Sequence, residues 1–145
     1  MVSQWGMTPR QSIEGECARR GTRDVAAKCV SILKGEVIDE EFLLALAGPA
    51  AAVVLRGDAG GVTGYWPRVW VLRGLLYAWD ELATTVLVDS LHDESWRVRE
   101  MGAKVVARHR VDDALEAISE LEDDPVPRVR RAAHRALVRL VEVDT

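Results

Sequence analysis

Three histidines, two cysteines and a run of glycines are the residues of this chain with the most obvious chemical uses. Histidine binds metals and moves protons near neutral pH. Cysteine binds zinc or attacks as a thiolate, and glycine-rich loops cradle phosphates. None of them stands at the spacing its chemistry needs. His92, His109 and His134 have no Cys, His or carboxylate at clear metal-ligand spacing on the same helix face. His92 is next to Asp93, but in an inter-helix turn, where a solvated side chain is the default. Cys17 and Cys29 lack neighbouring ligands and make neither a zinc site nor a disulfide framework. Two reduced thiols on apolar helix faces is the simpler reading; a single bridge between the first two helices is the alternative. Residues 57–64 (GDAGGVTG) hold four glycines, yet no GxGxxG, no following Lys-Ser/Thr and no preceding strand. They read as a flexible join. Ser90 lies near His92, but no third group orients a base, and HExxH and GxSxG are absent. The expectation is a non-catalytic protein with no cofactor and no metal.

The organisation of the chain is plainer than its chemistry. Pro67-Arg68-Val69-Trp70, Trp96-Arg97-Val98-Arg99 and Pro127-Arg128-Val129-Arg130 can be laid over one another. The Arg-Val pair recurs about every 30 residues, a period that signals stacked helix pairs. Apolar residues follow each valine at helical spacing: Leu72, Met101 and Ala132, then Leu76, Val105 and Ala136, then Tyr77, Val106 and Leu137. Residues 80–91 and 111–121 form the second helix of two units. Their apolar stripes are Ala83, Val86, Leu87 and Leu91, and Ala114, Ala117, Ile118 and Leu121. An acidic cluster follows each stripe, where a carboxylate can satisfy the free N–H groups of the next helix.

The pattern of Asp, five residues to Val, Arg, small residues and Leu resembles HEAT and HEAT-like repeats. It stands as Asp93, Val98, Arg99, Gly102 and Val105. It stands more fully as Asp124, Val129, Arg130, Ala132, Ala133 and Leu137. The resemblance covers roughly residues 65–142. It implies an all-α right-handed α-solenoid, an alpha-alpha superhelix of stacked antiparallel helix pairs. It also implies a hydrogen-bonded ladder between units through Asp93, Arg99, Asp124 and Arg130. The first unit departs from the pattern, with Gly64 and Trp70 in place of the acid and the arginine. Repeats are expected at about 65–93, 94–124 and 125–145, within one structural domain. Residues 1–64 then form an N-terminal helical cap or a degenerate repeat. Its helices are expected to open at Thr8-Pro9, at Thr22 and at Asp39, with a further short apolar helix over residues 50–56.

Length and charge narrow the class. A chain of 145 residues can bury a single core. The formal net charge of −4 disfavours non-specific nucleic-acid binding by the whole molecule. No apolar run follows a basic start, so no signal peptide is visible. No stretch reaches the roughly 20 apolar residues needed to cross a bilayer. The expectation is a cytoplasmic protein, a monomer or weak dimer.

Two surfaces stand out as candidates. Charge sorts by helix: Arg97, Arg99, Lys104, Arg108 and Arg110, then Arg128, Arg130, Arg131, Arg135 and Arg139, occupy first helices. Asp112, Asp113, Glu116 and Glu120, with 122–124, occupy the second helix between them. In HEAT-type arrays first helices usually line the convex side and second helices the concave side. The resemblance therefore implies a basic outer face and an acidic inner groove suited to a basic partner segment. The plainer reading is solvated faces with charges partly paired between neighbours. The other candidate is aromatic: Tyr65 and Trp66 with Arg68, near Trp70, Tyr77 and Trp79. Aromatics are enriched at binding hot spots, although packing onto the N-terminal helices is the plainer reading. The function expected is a protein-interaction scaffold. Contact with nucleic acid through the basic first helices is the alternative. DNA glycosylases and bilin lyases among HEAT-like proteins are remoter ones.

Overall fold

A computed structural model describes residues 8–36, 39–48, 51–53 and 64–142. Every regular element among them is helical: α1 (Pro9–Arg20), α2 (Thr22–Leu33), α3 (Glu40–Ala47), α4 (Ala51–Val53), α5 (Trp66–Tyr77), α6 (Thr84–Ser90), α7 (Trp96–His109), α8 (Leu115–Leu121) and α9 (Pro127–Val141). Short 3₁₀ turns, Glu81–Ala83 and Asp112–Ala114, precede α6 and α8. The second helices are thus shorter than the continuous helices expected over 80–91 and 111–121. The chain falls into two compact units, Met1–Ala83 and Thr84–Thr145. The expected first repeat, about 65–93, straddles that division.

In the N-terminal unit, local chemistry fixes the helix starts. Thr8 caps α1: its hydroxyl accepts from the Gln11 N–H at 3.2 Å, and the Gln11 side chain accepts from the Thr8 N–H at 2.9 Å. Pro9 supplies a first-turn residue with no N–H to satisfy. Asp39 caps α3 by accepting from the Phe42 N–H at 3.0 Å. Thr22 does not cap α2; it is the first helical residue, and Gly21 holds the cap position at φ 90°. That left-handed backbone lets α1 turn directly into α2, which a residue with a Cβ would resist. Of the short apolar helix expected over 50–56, Ala51–Val53 is helical. The rest of it lies outside the described residues, as do residues 1–7 and 57–63 of the glycine loop.

Helix α5 packs on α1, α2 and α3. Contact on several sides buries more of it than one stripe: Val69, Trp70, Val71, Leu72 and Leu75 are buried, whereas Leu76 is only half-buried. A Cβ on Gly74 would lie 3.2 Å from the Cys29 sulfur, so the backbone of α5 comes close to α2. On α1 the inward residues are Ser12, Ile13 and Glu16, while Ala18 is exposed. The Glu16 side chain is 3% exposed; a charge there is tolerable because Arg19 and Arg20 both donate to it. Cys17 and Cys29 are both free thiols. Burial, with Cys17 adding to it, pushes the Cys29 thiol up to about 12, so it stays protonated at neutral pH.

In the C-terminal unit α7 packs on α6 and α9, and α8 packs on α9. Val98, Ala103, Val105, Val106, Ile118, Val129, Ala133 and Ala136 fill the core. Small residues allow close approach. A Cβ on Gly102 of α7 would come within 2.7 Å of the Ser90 hydroxyl oxygen and 3.0 Å of a Leu91 methyl. Arg110 closes α7 in the left-handed conformation, φ 51°. Its guanidinium donates to the carbonyls of Arg139 at 3.2 Å and Glu142 at 2.8 Å. The carbonyls at the end of α9 have no partner within their own helix, and Arg110 supplies one.

Candidate functional site

The Arg99 guanidinium joins successive repeats. Its Nε and Nη2 donate to the two carboxylate oxygens of Asp124 at 2.8 and 3.2 Å, and its Nη1 donates to the carbonyls of Asp93 and Glu94 at 2.8 and 3.1 Å. One repeat on, Arg130 makes the equivalent of the second contact, donating to the Asp124 carbonyl at 2.7 Å. Each aspartate also accepts a backbone N–H two residues ahead, Asp93 from Ser95 and Asp124 from Val126, both at 2.9 Å. These are Asx turns, which aim the chain into α7 and α9. Burial alone would raise the Asp124 carboxyl. The Arg99 hydrogen bonds, the Val126 N–H and the charges of Arg99 and Arg130 outweigh it, holding the group below the usual carboxylate range.

Arg97, Arg128 and Arg139 of α7 and α9 are also engaged within the molecule. Arg128 donates to Glu100 at 2.9 Å and lies 5.2 Å from the centre of the Trp96 ring, while Arg97 lies 4.5 Å from it. Cation–π contacts of this kind attach α9 to the start of α7. Arg139 reaches the Ala107 carbonyl at 3.4 Å. The spacing of Trp96, Glu100 and Arg128 gave no hint of this second link. Trp96 and Glu100 share a helix face one turn apart, but only tertiary packing brings Arg128 between them.

The acidic segment is different. Asp112, Asp113, Glu116 and Glu120 are all exposed, and their side chains make no ion pair or hydrogen bond among the described residues. Glu116 and Glu120 are one turn apart, a like-charge spacing that costs a helix a few tenths of a kcal/mol. The positive N-terminal end of the α8 dipole favours Asp112, Asp113 and Glu116 there, but acids at the C-terminal end are disfavoured by the same dipole. Glu120 and Asp123 stand at that end, exposed. Glu122 beside them is 2.9 Å from His134 Nδ1.

The aromatic candidates lie in the N-terminal unit. The Tyr65 and Trp66 rings are 5.1 Å apart and tilted, and Trp66 stacks on Trp70 at 6.5 Å. Trp70 is buried, so the pair continues outward from the core; Tyr65 and Trp66 are half-buried. Arg68 donates to the Gly64 carbonyl at 3.1 Å. Among the described residues no group of three His, Cys, Asp or Glu could hold a metal ion, and no helix is long and apolar enough to cross a membrane.

Comparison with known proteins agrees with the geometry of the C-terminal unit. Residues 80–145 match the family model for HEAT repeats. No curated protein and no solved structure matches the chain. HEAT repeats generally serve as protein-interaction scaffolds and are typically non-catalytic. The Asp–Arg ladder lies within the segment that matches, so residues 80–145 are similar to HEAT repeats in both sequence and geometry.

Proposed function

We propose that the chain is a non-catalytic scaffold that binds a basic segment of another protein along Asp112, Asp113, Glu116 and Glu120. One observation carries this reading: four exposed carboxylates, crowded on little more than two turns, have no cation partner among the described residues. Their mutual repulsion is relieved when lysines or arginines of a partner are brought alongside. The aromatic edge of Tyr65, Trp66 and Arg68 is a second contact region in this proposal, because half-buried rings beside one another suit an anchor side chain. The nucleic-acid alternative is weakened by the basic helices themselves. Arg97, Arg99, Arg128, Arg130 and Arg139 are engaged with rings, carboxylates and carbonyls of the same unit.

The test is affinity capture from native lysate with the parent and with the variant Asp112→Lys, Asp113→Lys, Glu116→Lys, Glu120→Lys. All four sites are exposed, so the fold should be retained. Partners held by the acidic row are lost from the variant and are eluted from the parent by moderate salt. If every captured partner is kept by the variant, the acidic row is not the binding surface.

A further inference from the structure

Three of the four large apolar residues that are exposed among the described residues lie in α8 and α9: Leu115 at 43%, Val138 at 49% and Val141 at 61%. Repeat equivalence shows why this face is unusual. Aligning Arg97-Val98-Arg99 with Arg128-Val129-Arg130 sets His134, Leu137 and Val138 against Ala103, Val106 and Ala107 of α7. Ala103 and Val106 are fully buried, whereas His134 is exposed and Leu137 half-buried. The face of α9 that corresponds to core in α7 is therefore open. Glu122, Arg130, Arg131, His134, Arg135 and Val138 line one shallow concavity on it.

The two helices present matching rows of opposite sign. Asp112, Leu115, Ser119 and Glu122 stand at steps of three, four and three residues, and so do Arg131, His134, Val138 and Val141. Such steps keep residues on one side of a helix. All eight are exposed except Glu122, which is half-buried. The contact of Glu122 with His134, 2.9 Å, brings the two rows together at one end. Seven residues, two helical turns, separate Glu122 from Leu115 and likewise separate His134 from Val141. Leu115 and Val141 are thus at comparable distances along their rows from the Glu122–His134 contact.

We propose that this face is an interface between two copies of the chain. A two-fold axis running along the helices lays α8 of each copy over α9 of the other. Leu115 then meets Val138 and Val141, and the Glu122 end meets Arg131 and Arg135. An axis across the helices would instead set α8 on α8 and α9 on α9, acid on acid and base on base. The charges select the first arrangement. It is isologous, so every contact occurs twice. With three large exposed apolar residues described on this face of each copy, the dimer is weak and forms on the order of 10–100 μM.

Sedimentation velocity of the full chain across roughly 5 to 500 μM at low salt reads this directly. The parent is expected to move from monomer to dimer over that range, and added salt shifts the transition to higher concentration. Val138→Glu and Leu115→Glu, both at exposed sites, each raise the dissociation constant about tenfold or more. They leave helicity and melting unchanged, and they spare Asp113, Glu116 and Glu120, so failure here and failure of the scaffold reading are separable. A charge exchange adds a sharper readout. Arg131→Glu/Arg135→Glu and Glu122→Lys are each monomeric alone, whereas an equimolar mixture forms a heterodimer. A parent that stays monomeric throughout, or a dimer indifferent to both Val138→Glu and Leu115→Glu, overturns the proposal and leaves the face to a different partner.

Discussion

Removing one carboxylate should show how the repeats are held together. In Asp124→Ala, Arg99 loses two charge-assisted hydrogen bonds and the Val126 N–H loses its acceptor. The Asp124 side chain is 4% exposed and that of Arg99 15%, so water can do little to replace the lost partner. Breaking a buried pair by removing one member costs about 3–5 kcal/mol. Arg99 keeps the carbonyls of Asp93 and Glu94, which places the expected loss at the lower end, about 3 kcal/mol. Urea unfolding followed by far-UV circular dichroism is the assay. With a slope of about 1–3 kcal/mol per M, the midpoint should fall by roughly 1–3 M. Replacing both partners, Arg99→Met with Asp124→Leu, should cost less than Asp124→Ala alone, because no charge is then left without a partner. If Asp124→Ala unfolds within about 0.5 kcal/mol of the parent, the ladder behaves as a surface ion pair and the reasoning fails.

Acid should weaken the same contact. The carboxyls of Asp124 and Asp39 are held below their ordinary value in the folded chain. Their contribution is therefore complete above the unfolded pKa, about 3.9, and is lost as pH falls through the folded values. The urea midpoint should be nearly level from neutrality to about pH 5 and drop below about pH 4, less steeply in Asp124→Ala; equal slopes in the two proteins would contradict this. Gly102→Ala should destabilise by about 1 kcal/mol, since overpacking at about 1–3 kcal/mol outweighs the roughly 1 kcal/mol helix-propensity gain. Ser90 cannot simply turn away, because its hydroxyl is bonded to the Leu87 carbonyl at 2.6 Å. Gly102→Ala combined with Ser90→Ala should recover stability, and a Gly102→Ala protein as stable as the parent would show that α6 and α7 have room to part.

The fold was legible where local rules and tertiary packing agree. The Arg-Val repeat, the Asp39 cap and the Thr8-Pro9 start are all short-range signals, and each lies on the helix it indicates. The inward face of α1 was harder to read. Ile13 is apolar and buried, but Glu16 is buried too, through pairing with two arginines that only the fold makes available. Helix α5 is apolar on more than one side, so periodicity alone could not say that Leu75 rather than Leu76 is fully buried. Among the candidate sites, the acids of α8 were visible as a charge run. That they lack partners among the described residues, while Arg128 and Arg130 have them, is a property of packing. The open face of α9 was hidden for a similar reason: Val138 and Val141 read as ordinary helix residues until their exposure is compared with α7.

The central claim is that the acidic row along the 3₁₀ turn and α8 is the partner-binding surface. Amide chemical-shift mapping of the ¹⁵N-labelled chain, titrated with a short alternating Lys/Ala peptide at low salt, tests it most directly. The account predicts shifts concentrated at residues 112–123, absent in the four-lysine variant and reversed by salt. Shifts spread evenly over the protein, or confined to residues outside that segment, would contradict it.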